Sequence, residues 1–201
     1  MKKLLMLALL VLVAVPAVAD VAADAKTGTK AGKPYFEASE TTTKQAKVIK
    51  LAKATREVTL RGEKGDTLTV VAGEEVKNFG QIVVGDLVKI TYTERLTIHV
   101  EGAGTAEMVN EMTTGAAKLG EKPAGSVTER TQYKATITAI NKPNGTATLK
   151  GYEGVEYVVT PIHPENLDKV KIGEMVVFTY TEAVAARVEK VAPKSAKPAK
   201  K

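Results

Sequence analysis

Two stretches of this chain are near-copies of one another. Asn78-Phe79-Gly80-Gln81-Ile82-Val83-Val84-Gly85-Asp86-Leu87-Val88-Lys89-Ile90-Thr91-Tyr92-Thr93-Glu94, moved along by 88 positions, falls without a gap on Asn166-Leu167-Asp168-Lys169-Val170-Lys171-Ile172-Gly173-Glu174-Met175-Val176-Val177-Phe178-Thr179-Tyr180-Thr181-Glu182. Upstream, Val58-Thr59-Leu60-Arg61-Gly62-Glu63-Lys64-Gly65 falls on Ala147-Thr148-Leu149-Lys150-Gly151-Tyr152-Glu153-Gly154 at a shift of 89. Two blocks in the same order at nearly one offset read as a duplicated folding unit. Whatever fold one copy takes, the other must be able to take as well.

Each copy has the pattern of short strands. In the second, Tyr133 to Ile140 is rich in β-branched residues, and Pro143-Asn144-Gly145 is a tight turn in which Asn-Gly tolerates positive φ. Thr146 to Gly151 and Val155 to Thr160 are the next strands. Pro161 and Pro164 exclude a central strand between Pro161 and Lys169, where Pro164 to Leu167 suits a single helical turn. Gly173-Glu174 turns into a strand Met175 to Glu182, and Ala185 to Val191 follows. The first copy repeats this order over Lys44–Lys53, Glu57–Gly62, Asp66–Ala72, Asp86–Thr93 and Leu96–Val100.

An all-β fold follows. Five short strands with a non-strand link after the third suit a small barrel, whose closure removes exposed edges. The expectation is two tandem five-stranded barrels, OB-like or SH3-like, over residues 44–102 and 131–191. Their linker, residues 103–130, is Gly-rich, and Thr105 to Leu119 suits a short helix. A single intertwined β structure using both copies is the alternative. Residues 20–43 read as a flexible lead-in, although Tyr35 and Phe36 are candidates to dock on the fold. Residues 192–201 read as a disordered, Lys-rich tail.

The first 19 residues have the form of a secretory signal. Lys2 and Lys3 precede the apolar run Leu4 to Val15, and Ala17-Val18-Ala19 supplies the small-x-small cleavage pattern before Asp20. The run is shorter than the roughly 20 residues that span a bilayer, and no later segment is long and apolar enough. The expected location is periplasmic or secreted, with no transmembrane segment after signal removal. The chain has no Cys, which excludes disulfides and thiolate chemistry.

Net charge is +6, but Lys2, Lys3 and the four lysines of the 193–201 tail account for all of it. The body is balanced and lacks the basic face of a nucleic-acid binder. The tail suits an envelope protein or an anionic polymer as partner. No catalytic constellation, and hence no enzyme, is expected, and no cofactor. Tyr92 with Glu94, and Tyr180 with Glu182, recur at matched positions two apart. On a strand each pair shares a face, so these are the candidate binding residues. Alternatively, Met108 and Met112, four apart and on one face of a helix, are thioether ligands suited to Cu(I) or Ag(I), with His99 or His163 completing the set.

The run Val84-Gly85-Asp86-Leu87-Val88-Lys89-Ile90-Thr91-Tyr92, after a strand, a hairpin, a strand and a loop, resembles small exported bacterial β-barrel domains of unknown function built around an x-x-I-x-V-G-D-x-V core. More loosely, the copies resemble the small periplasmic copper- and silver-binding barrels of metal-efflux systems. Those barrels use a His, two Met and a Trp on their strands. This chain has no Trp, so that ligand set does not carry over. The expected function is that of an exported, non-enzymatic binding or scaffold protein of the bacterial cell envelope, with a periplasmic Cu(I)/Ag(I)-binding protein as the second reading.

Overall fold

The computed structural model describes residues 25–74, 76–118 and 120–189. The stretch read as a signal sequence and the lysine-rich tail lie outside the described residues. The described residues form ten strands: β1 (Lys26–Lys30), β2 (Lys33–Ala52), β3 (Glu57–Gly62), β4 (Thr67–Val71), β5 (Leu87–Ala103), β6 (Glu107–Ala116), β7 (Ala124–Asn141), β8 (Thr146–Lys150), β9 (Glu156–Val159) and β10 (Glu174–Glu189). Single 3-10 turns stand at Phe79–Gln81 and Pro164–Lys169.

All ten strands belong to one sheet, in the order β4-β3-β2-β5-β10-β7-β8-β9, with β1 beside β2 and β6 beside β7. The path runs out at β4 and β9, so the sheet is not closed into a barrel. The strands expected over Leu96–Val100 and Ala185–Val191 are not separate elements but the far ends of β5 and β10. Two further expectations fail. Residues 107–116, read as a helix, are strand β6, which pairs with β7. The supposed lead-in holds β1 and the first part of β2, joined at Ala31-Gly32. Both turn residues have positive φ (51° and 78°), which twists the hairpin in the sense its strands require.

The chain divides into two compact units. One takes in the residues up to Thr41 with Thr93–Met112 and Glu129–Glu182. The other takes in Thr42–Tyr92, Thr113–Thr128 and the chain from Ala183 onward. In the second unit, Val48, Val58, Leu60, Phe79, Ile82, Val88 and Val188 form the buried core. Their spacing is that of strands: Val58 and Leu60 point inward from β3 while Glu57 and Arg61 face water. A bulge lies between Val48 and Lys50. The Gly85 N–H donates to the Val48 carbonyl at 2.8 Å, and the Val83 N–H to Asp86 Oδ2 at 3.0 Å.

In the first unit the buried core is Ala135, Ile137 and Leu149, ringed by Tyr133, Val170, Val176 and Phe178. A bulge lies between Ile137 and Ala139. The Gly173 N–H donates to the Ile137 carbonyl at 2.8 Å, and the Lys171 N–H to Glu174 Oε2 at 3.0 Å. Positive φ falls at Arg56, Gly65 and Gly85 in one unit and at Gly145, Gly154 and Gly173 in the other. Gly151 has a separate reason to lack a side chain: a Cβ there would lie 1.8 Å from the Tyr133 hydroxyl.

Candidate functional site

The first unit contains an apolar cavity of about 160 Å³. Ile137, Leu149, Leu167, Val176 and Phe178 form its inner surface. The β1–β2 hairpin supplies Pro34, Tyr35 and Phe36, β5 supplies Ile98, His99 and Val100, and the segment after β9 supplies Pro161 to His163 and Asn166. Alternation on β10 explains how one strand serves two purposes. Met175, Val177 and Thr179 are buried on one face, while Val176 and Phe178 turn to the cavity.

Polar groups collect at the rim. His99 Nε2 lies 3.0 Å from Glu101 Oε1, and His163 Nδ1 lies 3.3 Å from Glu165 Oε1. The Tyr35 hydroxyl donates to Glu37. That hydrogen bond, aided by the charges of Arg95 and Lys26, holds the Glu37 carboxyl below its usual range; the same bond, aided by burial and the Glu37 charge, raises the Tyr35 phenol. Burial beside Tyr157, Tyr152 and Glu153 raises the Tyr133 phenol.

The expected site residues are partly reassorted. Tyr180 and Glu94 do form a bond, but across neighbouring strands: the Tyr180 hydroxyl donates to Glu94 Oε1 at 2.6 Å. Tyr92 on β5 and Glu182 on β10 are half-buried. The metal reading meets a geometric obstacle. Met108 and Met112 sit on a strand, where four residues span about 13 Å rather than one helical turn, and Met112 is 72% exposed. His99 and His163 do reach the same cavity, but among the described residues no three His, Cys, Asp or Glu side chains are grouped to hold a metal ion.

Sequence reasoning overlooked Pro34, Asn166, Leu167 and Phe178 as site residues. One signal was available. Lys33-Pro34 and Lys122-Pro123 share the shift of 89 that relates the two similar stretches, and Lys33-Pro34 lies in the supposed lead-in.

Fold and cavity together define an all-β chain with an apolar cavity in the first of its two units. No protein-family model, curated protein or solved structure matches it.

Proposed function

We propose that this chain is an exported, non-enzymatic binding protein of the bacterial cell envelope, made of one β module written twice. One copy is filled for stability and the other is kept hollow to receive an apolar group. Matched bulges, matched hydrogen bonds at Gly85 and Gly173, and matched positive-φ positions support the two-copy reading. The lysine-rich end adds a salt-sensitive attraction to anionic envelope polymers.

The observation that carries the binding reading is what stands at corresponding positions. In the filled copy the Arg56 guanidinium lies 4.7 Å from the Phe79 ring centroid and donates to the carbonyls of Ala72, Gly73 and Val76. At the matched positions the other copy has Gly145, with no side chain, and Leu167, with a smaller one. Leu167 lines the cavity, and it fills less volume than the Phe79 ring does at the matched position. Aliphatic cavities of about 150 Å³ accommodate benzene, so a six-carbon apolar group is the right scale.

The test titrates benzene and 1-hexanol into the chain beginning at Asp20 and follows side-chain methyl NMR signals. Shifts are expected at Ile137, Leu149 and Val176. They should be lost in Leu167→Phe, which copies the residue of the filled core. Absence of shifts at those methyls, or shifts that persist in a folded Leu167→Phe, overturns the reading.

A further inference from the structure

We infer that the β1–β2 hairpin is a movable wall of the cavity, fastened by Lys33 to the turn before β10, so that fastening and occupancy of the cavity favour each other. This rests on the cavity being a binding site, and concerns the regulation of that same site. The hairpin supplies Thr27, Pro34, Tyr35 and Phe36 to the lining. Its outer strand is lightly held: β1 pairs with β2, and all five of its residues are exposed. The bond from the Tyr35 hydroxyl to Glu37 stays within the hairpin. Farther along β2, residues 40–45 are exposed too, so no core side chain anchors the strand there.

Lys33 reaches out from the hairpin tip, beside the Ala31-Gly32 loop. Its Nζ donates to Glu174 Oε1 at 2.6 Å and to the Lys169 carbonyl at 3.1 Å. The receiving side is fixed. Glu174 Oε2 accepts from the Lys171 N–H at 3.0 Å, and the Glu174 N–H closes the turn onto the Lys171 carbonyl at 3.2 Å. Gly173 takes φ +91° and donates its N–H at 2.8 Å to the carbonyl of Ile137, a fully buried core residue. The core therefore holds the carboxylate in place, whereas the ammonium rides on a strand with little behind it. Leu167 and Val170, just before this turn, also line the cavity, so the latch joins two of its walls. The Lys33 and Glu174 side chains are 27% and 13% exposed, and solvent screens the pair less than it would on an open surface. An apolar group resting on Pro34, Tyr35 and Phe36 keeps those contacts only while the wall is closed. It binds the fastened state better and, by linkage, shifts the hairpin toward it.

The test measures amide hydrogen exchange and benzene affinity in the chain from Asp20. Exchange reports local opening of the hairpin separately from opening of the core. Glu174→Gln and Lys33→Met should each speed exchange across residues 26–37 at least tenfold, with a far smaller effect at Ile137 and Leu149, and weaken benzene at least threefold. Saturating benzene should slow exchange of the same hairpin amides in the parent. The double variant Lys33→Cys/Glu174→Cys controls for the loss of the side chains themselves, since the chain has no other cysteine. Joined by a short bis-maleimide, it should bind benzene at least threefold more tightly than the same protein unjoined. No benzene binding by the parent overturns the cavity reading and this inference with it. Benzene binding that leaves the hairpin amides unprotected, single variants whose hairpins exchange no faster than the parent's, or equal affinity of the joined and unjoined forms overturns this inference alone.

Discussion

Arg56 offers a test in which two opposed effects are separated by a pair of substitutions. Its φ is +57°, a left-handed conformation that costs a side-chain-bearing residue about 1 kcal/mol. Against that, its guanidinium donates to the carbonyls of Ala72, Gly73 and Val76 and lies over Phe79. Hydrogen bonds from a charged donor are worth roughly 1.5 kcal/mol or more each, and a cation over an aromatic face adds about 1 kcal/mol. Arg56 is half-buried, so the freed carbonyls recover part of this from water, leaving a loss of about 3 kcal/mol. Arg56→Ala keeps the strain and loses the contacts, so it should destabilise by about 3 kcal/mol. Arg56→Gly also relieves the strain and should destabilise by about 2 kcal/mol. Urea unfolding followed by far-UV circular dichroism measures both, since the chain has no Trp to report. Arg56→Gly as stable as the parent, or Arg56→Ala the more stable of the two variants, refutes the assignment.

Three further outcomes are expected. Glu174 is held below its usual carboxyl range by its hydrogen bond from Lys33 at 2.6 Å, with the Lys171 N–H and both lysine charges adding to it. A depressed folded-state value means that this stabilisation is complete above the ordinary Glu range and fades as pH falls through the folded value. Glu174→Gln should therefore flatten the acid limb of a stability-versus-pH curve, and an unchanged limb counts against the pair. Tyr180→Phe removes the donor to Glu94 and should cost about 1–2 kcal/mol in the same urea assay; a change within error would make the bond energetically idle. Amino-terminal sequencing of exported material should begin at Asp20, and an intact Met1 would refute cleavage.

Much of the sheet was legible because local signals and tertiary pairing agree there. Glu57–Gly62 is β3 as read, and the alternation of Val58 and Leu60 with polar neighbours is the cause. The helical turn at Pro164 is present because proline suits the first position of such a turn and bars a strand. Disagreement arose where distant pairing decides the conformation. The stretch around Met108 and Met112 has no strong local preference, and β7 draws it into the sheet. Spacing of four residues then means something different from what it means on a helix. The continuation of β5 and β10 past Glu94 and Glu182 was hidden for a related reason. Nothing local marks a strand that belongs to two compact units. The cavity was illegible too, because it depends on how far side chains such as Leu167 and Phe178 fill the space between strands, a property of volume rather than of pattern. Only the matched Lys-Pro pairs pointed to the hairpin that walls it.

The membership of Val188 in a core otherwise built from Val48 to Val88 bears on the order of synthesis. A chain threaded outward from its amino terminus presents that first core long before the residue that completes it has emerged. Contacts so far apart along the chain slow folding. Until the last strand arrives, an unfinished apolar surface faces the solvent. A chaperone acting on the emerging chain would meet this molecule in that state.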